Sequence, residues 1–207
     1  MKQALIVWGG WDGHQPEQVA EIFRGVLAAE NFEVTVSDTL DSFTDAELMA
    51  RQDLIVPIWT MGTITAEQLR PLLDTVHAGC GIAGCHGGMG DSFRNEVDYQ
   101  YMVGGQWVAH PGNDGVRYDV YMTDPDDPLT KGIDTFEVVS EKYYMHVDPA
   151  IKVHAATDFD HVQMPVVWTK MWGQGRVYYN SLGHQANIVA MPQVTELMRR
   201  GFLWAAR

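Results

Sequence analysis

Residues 81–88 read Gly81-Ile82-Ala83-Gly84-Cys85-His86-Gly87-Gly88, an apolar strand that runs directly into a turn flanked by glycines. In several classes of α/β enzyme a turn of the form G-x-Nuc-x-G presents a nucleophile, and its glycines allow the strained backbone. Here the presented position holds His86. An imidazole there indicates a metal ligand or an acid/base group and not acyl transfer. We expect this imidazole to be exposed at the apex of the turn.

Strand and helix patterns alternate over the first 85 residues. Continuous apolar runs at 4–8, 54–59 and 81–83 are typical of parallel strands that are covered on both faces. Helical periodicity covers 16–30, and capping boxes at 44–47 and 65–68 predict two further helix starts. The resulting β-α-β-α-β-α-β alternation, with 81–83 as its fourth strand, predicts an α/β fold with a doubly wound, mostly parallel sheet. The turn at His86 then lies at the carboxyl edge of the sheet, where such folds bind ligands.

The second half of the chain has a less regular pattern. A final helix is predicted over 192–206. Short strands are predicted at 116–121, 136–139, 153–156, 166–168 and 175–180. No stretch resembles a linker or a charge run, so we expect a single domain over residues 1–207.

Composition restricts the partners and the compartment. The formal net charge is −13, from 14 basic and 27 acidic residues, which would repel nucleic acid and anionic membrane surfaces. The apolar run at 4–8 is too short for a signal-peptide core or a transmembrane helix. Cys80 and Cys85 would face opposite sides of the sheet, so we expect no disulfide between them and a cytoplasmic protein. A homo-oligomer is left open.

Three histidines lie beside glycines at predicted strand ends. His14 follows the first strand, His86 the fourth and His184 the last. Loops after the first and fourth strands share one edge of a doubly wound sheet, so these imidazoles are expected to converge. Convergent imidazoles with a carboxylate are the usual ligands of a transition metal, and zinc is the divalent ion we expect. The alternative for any single histidine is that it caps a turn or hydrogen-bonds in a polar pocket.

Two other side chains have alternative interpretations. Trp11 and Trp107 lie in glycine-rich loops, where flat aromatic faces would line a carbohydrate pocket, although core packing is the alternative. A histidine near Cys85 would lower its pKa and make it a nucleophile. Its place one residue before the apex instead predicts a thiol that points away from the pocket.

Motifs spread over nearly the whole chain resemble those of a known family. Residues 165–184 are similar to "P-V-x-W … G-x-G-R-V-x-Y-x-S-L-G-H", ending at His184. Other matching segments are Gly84-Cys85-His86 ("G-x-H"), Gly104-Gly105-Gln106-Trp107 with His110-Pro111 ("G-G-x-F-x-x-H-P"), Glu141-Lys142-Tyr143 ("D-E-x-Y") and Arg200-Gly201-Phe202-Leu203-Trp204-Ala205 ("R-G-x-x-W-A"). On these residues the chain resembles the trehalose-utilisation (ThuA-like) family of the class I glutamine amidotransferase-like superfamily. Ser140 stands where that family has an acidic residue, and the segment around His14 is only loosely similar to its first-loop motif.

The resemblance implies a flavodoxin-like fold and a role in the catabolism of trehalose-like disaccharides or their 3-keto derivatives. We expect an enzyme in which His86 and His184, with His14 or Glu141, hold a metal that polarises a sugar carbonyl or hydroxyl. Glu141 is alternatively a general base, with Tyr143 as a hydroxyl donor and His110 as a further catalytic group. A sugar-binding module without turnover and an amidotransferase-like hydrolase are the other hypotheses.

Overall fold

The computed structural model describes all residues from Met1 to Arg207 and contains a nine-stranded sheet with helices on both faces. The strands are β1 (Lys2–Gly10), β2 (Phe32–Ser37), β3 (Leu54–Thr60), β4 (Gly81–Cys85), β5 (Gly105–Ala109), β6 (Val116–Met122), β7 (Phe136–Ser140), β8 (Tyr144–Val147), β9 (Lys152–Phe159), β10 (Val162–Trp172) and β11 (Gly175–Asn180). The helices are α1 (Pro16–Ala29), α2 (Ala46–Arg51), α3 (Ala66–His77), α4 (His86–Gly90), α5 (Val97–Val103), α6 (Ala186–Val189) and α7 (Pro192–Ala205).

The sheet has the strand order β2-β1-β3-β4-β11-β10-β9-β6-β7. All neighbours from β2 to β11 pair in parallel, and the remaining neighbours pair antiparallel. The predicted α/β class, with a large sheet between helices in a flavodoxin-like arrangement, is confirmed. β5 and β8 form a separate antiparallel pair outside this sheet.

Two apolar cores cover the two faces of the sheet. On β1, Ala4 and Ile6 face the core that contains α1, α6 and α7, whereas Leu5 and Val7 face the core that contains α2, α3 and α5. This alternation follows from the two-residue period of a strand, and it explains why the run at 4–8 is apolar at every position. The parallel strands are thereby held rigidly with their carboxyl ends at one edge.

The two predicted capping boxes have different outcomes. Thr65 and Gln68 form the predicted reciprocal box at the start of α3. The box at 44–47 is wrong, because Asp45 caps α2 by accepting a hydrogen bond from the Leu48 amide at 2.9 Å. Thr44 is instead the last residue of a preceding 3-10 turn, where its hydroxyl donates to the Asp41 carbonyl, and the helix begins one residue later than predicted.

Cys80 and Cys85 are free and belong to opposite cores, as predicted. No helix in the structure has both the length and the hydropathy that crossing a bilayer would require. The irregular second half contains two helices, α5 and α6, and two strands, β5 and β8, that the sequence did not indicate, because each is too short to show a hydrophobic period.

Candidate metal centre and the cavity beside it

Four buried side chains from distant parts of the chain converge at the carboxyl edge of the sheet. His86 is the first residue of α4, His14 ends a 3-10 turn after β1, and His184 lies in the loop after β11. Glu141 directly follows β7, which is at the far end of the sheet. Each of the four offers one potential ligand atom, and these atoms lie within 4.8 Å of one another.

Glu141 is the centre of this cluster. Its Oε2 lies 3.1 Å from Nε2 of His86, 3.3 Å from Nδ1 of His184 and 3.9 Å from Nε2 of His14. Tetrahedral ligands with metal bonds of about 2.0–2.1 Å are separated by about 3.3 Å, so three imidazoles surround this oxygen at nearly the spacing of a shared ion. The side chains are 1–8 % exposed, which keeps bulk water from solvating the charge.

The hydrogen bonds of His86 determine which nitrogen carries the proton. Its Nδ1 lies 2.8 Å from the Ser181 carbonyl oxygen, which can only accept, so Nδ1 must donate. In the neutral ring, Nε2 then directs a lone pair at Glu141 Oε2, 3.1 Å away. Burial lowers the pKa of His86, although the Glu141 carboxylate and the Ser181 carbonyl oppose the effect because both favour the protonated ring. A lone pair that faces a carboxylate at this distance is unfavourable unless a proton or a metal ion lies between the two atoms, so Nε2 and Oε2 are placed as two ligands of one cation.

The other members of the cluster also fit a metal. Nδ1 of His14 is 2.8 Å from Oγ1 of Thr60, which leaves Nε2 facing the cluster. Burial, reinforced by His86 and His184, lowers the pKa of His14 to about 3, so its ring is neutral at neutral pH. Nδ1 of His184 is buried without a hydrogen-bond partner. Three imidazoles and one carboxylate are a donor set that suits zinc.

Glu141 is the charged member of the set. Burial by itself would raise the pKa of Glu141, but the imidazoles of His184 and His86 lower it below its ordinary value. The carboxylate is therefore ionised at neutral pH. Its other oxygen, Oε1, faces Nε2 of His110 at 3.8 Å.

A cavity of about 330 Å³ opens beside the cluster. It is lined by Trp11, His14, Thr60, Met61, Asp91, Arg94, His110, Asn113, Glu141 and Tyr143. The sequence pointed to Trp11, His14, His110, Glu141 and Tyr143, and the structure brings all of them to this cavity. Trp107 does not line it, but its ring lies 4.5 Å beneath the Arg94 guanidinium and 5.3 Å from the His110 ring.

The sequence reasoning missed five of the lining residues: Thr60, Met61, Asp91, Arg94 and Asn113. Thr60 ends the apolar run of β3, so the same strand-end argument that selected His14 would have found it. Asp91 and Arg94 follow the glycine turn without a periodic pattern or a motif, and no local signal identified them.

Aromatic stacking connects the cluster of His14, His86, His184 and Glu141 to the cavity. The Tyr143 ring stacks on His86 with centroids 3.9 Å apart, and His110 stacks beyond it with centroids 6.1 Å apart. Burial raises the pKa of Tyr143 far above its ordinary value, so its hydroxyl keeps its proton. The cavity wall therefore carries a protonated hydroxyl, that of Tyr143, and a half-buried imidazole, that of His110.

Backbone strain is concentrated around the same cavity. Seven residues other than glycine have positive φ: Gln15, Asn31, Met61, His86, Phe93, Asn113 and Asp160. Five of these, all but Asn31 and Asp160, belong to the cluster or cavity or directly adjoin one of its residues. Such conformations are unfavourable for side chains as large as Met, His and Phe, and in proteins they accumulate at functional sites.

Two expectations about the turn have different outcomes. His86 is 1 % exposed, so the expectation of an exposed imidazole at the apex is wrong: the ring is turned inward by its bonds to Ser181 and Glu141. Cys85 points into the fold, as expected, and burial raises its pKa to about 12. A thiol in this apolar environment is a poor nucleophile.

The family follows from a match over nearly the whole chain. Residues 3–205 match the ThuA family, described as trehalose utilisation. The chain belongs to the ThuA family. No curated protein matches it.

Solved structures share the fold of this ThuA-family chain. Putative ThuA-like proteins from Parabacteroides merdae and Bacteroides uniformis are both 16 % identical to it, with TM-scores of 0.81. Each alignment covers 99 % of this chain, and they cover 89 % and 91 % of the respective relatives. A β-galactosidase from a Rahnella strain contains a similar fold, at 16 % identity and a TM-score of 0.65. That alignment covers 99 % of this chain and 30 % of the β-galactosidase chain.

Proposed function

We propose that this ThuA-family protein is a metal-dependent enzyme of carbohydrate catabolism that acts on a trehalose-like disaccharide or a 3-keto derivative. The observation that carries the proposal is the position of Glu141 Oε2 within 3.1–3.9 Å of three imidazole nitrogens. His14, His86, His184 and Glu141 would hold the ion, and their donor atoms suit zinc. A divalent ion there would supply a Lewis acid for a carbonyl or hydroxyl oxygen of the sugar.

Groups behind the ligands would hold them in position. Thr60 orients the His14 ring through Nδ1, and the Ser181 carbonyl orients the His86 ring in the same way. Such bonds fix the tautomer and the direction of a ligating imidazole. The proposed ligands are therefore pre-organised by the fold.

His110 and Tyr143 would move or hold protons on the cavity side. His110 lines the cavity and its Nε2 is 3.8 Å from Glu141 Oε1, so we propose it as the general acid/base. Tyr143 would donate its hydroxyl to a sugar oxygen. Glu141 would act mainly as a ligand, because three imidazoles surround its Oε2 and leave only Oε1 for proton transfer.

Two alternatives remain testable. A sugar-binding module would use the same cavity without turnover, and Trp11 on its wall suits sugar binding equally well. An amidotransferase-like hydrolase would need a reactive Cys85, and the burial of that thiol in an apolar core weighs against it.

Metal analysis combined with a turnover assay separates these functions. Purified protein would be stripped with chelator, reloaded with Zn²⁺, Mn²⁺ or Fe²⁺, and assayed with trehalose and 3-keto-trehalose. We expect one bound ion per chain and metal-dependent turnover. Glu141→Gln should lower metal affinity if Glu141 is a ligand, whereas an enzyme that needs it only as a base would keep the metal and lose kcat. His184→Ala should also lower metal affinity, because it removes a proposed ligand. His161→Ala, at an exposed histidine, is its matched control and should leave metal affinity unchanged. Stoichiometric sugar binding without turnover would indicate the module.

A further inference from the structure

Arg94 is the only basic side chain other than histidine on the cavity wall, and it is fixed from two sides. Its Nε and Nη2 donate to the two carboxylate oxygens of Asp91 at 2.6 and 2.8 Å. Its guanidinium lies over the Trp107 ring, 4.5 Å from the centroid. A bidentate carboxylate and an aromatic face together restrict a guanidinium to one orientation.

The backbone that carries this pair is also held in place. The Met61 amide donates to the Asp91 carbonyl at 2.8 Å, and the Phe93 amide donates to the Met61 carbonyl at 3.3 Å. Both Met61 and Phe93 have positive φ, and Phe93 is 1 % exposed. The fold therefore maintains strain at this point, which positions Arg94 beside the cavity.

Nη1 of Arg94 makes no hydrogen bond within the protein, and its side chain is 48 % exposed. Asp91 is 5 % exposed, and its charge cancels that of Arg94 locally. Glu141 is the other charged group on the wall and would offset only part of a divalent ion's charge, but the Arg94 side of the cavity carries no excess positive charge of its own. A neutralised guanidinium with free N–H groups suits hydroxyl oxygens better than a phosphate or carboxylate.

We propose that Arg94, positioned by Asp91 and Trp107, is a substrate-orienting residue that donates hydrogen bonds from Nη1 to hydroxyl groups of an uncharged sugar. This inference rests on the proposed function, since the same sugar would reach the metal cluster. Trp107 thereby contributes to substrate binding through Arg94 and not by direct stacking. The site selects neutral sugars over their phosphorylated or acidic forms.

The first experiment measures binding, so that it does not depend on turnover. Metal-loaded wild type, Arg94→Met and Arg70→Met would be titrated calorimetrically with trehalose. Arg70 is the matched control, because it pairs with Asp74 on the exposed face of α3. We expect Arg94→Met to weaken trehalose binding about 10- to 100-fold, the usual effect of losing hydrogen bonds to a charged donor, with its metal content unchanged. Equal binding by wild type and Arg94→Met would overturn the inference, even if the enzyme is metal-dependent.

The second experiment tests the charge of the ligand. Wild type should bind trehalose more tightly than trehalose 6-phosphate. Arg94→Lys should bind trehalose about as weakly as Arg94→Met, because a lysine cannot make the two parallel hydrogen bonds to Asp91 that orient the guanidinium. Tighter binding of the phosphate ester that disappears in Arg94→Met would overturn the assignment to hydroxyl groups.

Turnover then separates this inference from the proposed function. If the wild type converts 3-keto-trehalose, Arg94→Met should raise KM about 10- to 100-fold and Asp91→Asn should raise it less, with kcat changed much less than KM in both. If wild type binds trehalose without converting any sugar, the proposed function fails. The calorimetric comparison of wild type with Arg94→Met then tests the role of Arg94 by itself. Absence of any sugar binding by the wild type would overturn both.

Discussion

Gly87 lies so close to the ring of His14 that a Cβ at position 87 would be 2.6 Å from Cε1 of that imidazole. The same Cβ would be 2.8 Å from Nδ1 of His14 and from Cγ2 of Thr60. Position 87 therefore requires a glycine, because the His14 ring approaches its backbone so closely. This contact packs the turn after β4 against the loop after β1.

Gly87→Ala should displace His14 from the metal cluster. Gly87 is in the short helix α4 without a positive φ, so its backbone suits alanine and the clash is the main effect. We expect metal affinity to fall at least about tenfold, the scale at which supporting contacts of ligands act, as measured by competition with a chromogenic chelator. Gly25→Ala is the matched control: a Cβ there meets nothing within 4 Å, so it should stabilise α1 by about 0.5–1 kcal/mol and leave metal binding unchanged. Unchanged metal affinity in Gly87→Ala would show that His14 is not a ligand.

His86→Ala should abolish metal binding and also lower stability without metal. Its loss leaves the buried Ser181 carbonyl without its donor, so we expect about 1–3 kcal/mol of destabilisation in metal-free protein. Saturating zinc should then raise the Tm of wild type and not that of the variant, because only a state that binds the ion is stabilised by it. Equal stabilisation of both proteins by zinc would exclude His86 from the site. Urea titrations of the metal-free proteins measure the destabilisation, and thermal unfolding with and without zinc measures the change in Tm.

Cys85→Ala should leave activity within a few-fold of wild type. The thiol is 3 % exposed in the core that contains α7, and burial raises its pKa to about 12. Iodoacetamide should therefore label Cys85 in unfolded protein and not in native protein, as peptide mass spectrometry would reveal. Rapid native labelling together with loss of turnover would instead identify Cys85 as a nucleophile.

Glu196 should make stability depend on pH in the acid range. The hydrogen bond from Arg199, followed by that from Arg200, lowers its pKa to about 2, against the opposing effect of burial. Because the folded pKa lies below the unfolded one, the stabilisation is complete above the unfolded pKa of about 4.5 and is lost as the pH falls towards 2. The guanidinium groups are partly solvent-screened, so we expect Glu196→Gln to lower the free energy of unfolding by about 1 kcal/mol at pH 7 and by less at pH 3. A difference that is independent of pH in urea titrations would contradict this.

Local pattern was sufficient for the fold and for part of the site. The apolar runs of β1, β3 and β4 predict buried parallel strands, because a strand covered on both faces is apolar at every position. His14 and His86 follow the ends of two such strands, so they are predicted to lie close together, since parallel strands bring their carboxyl ends to one edge. Both conclusions depend on the alternation of side chains between the two faces of a strand, which a short segment shows by itself.

The convergence of Glu141 with the histidines depends on the complete chain. Glu141 is the first residue after β7, which is the last strand in the order of the sheet, and only the placement of that strand in the folded chain brings Glu141 to His86. No spacing in the sequence encodes this distance, because it is set by the packing of elements that are separated by tens of residues. The inward orientation of the His86 ring has the same origin, since its partner Ser181 is 95 positions away.

Arg94 and Asp91 mark the limit of what sequence alone determined. Residue types and periods established the α/β class, the edge of the sheet that carries the site and the histidines expected to converge there. Tertiary structure decided that His14 and Glu141 both join His86 and His184, that the imidazole of the turn is buried, and that a guanidinium fixed by Asp91 and Trp107 faces the cavity. The physical reason is that backbone periodicity is a local property, whereas the burial, charge and orientation of a side chain are set by neighbours that only the folded chain supplies.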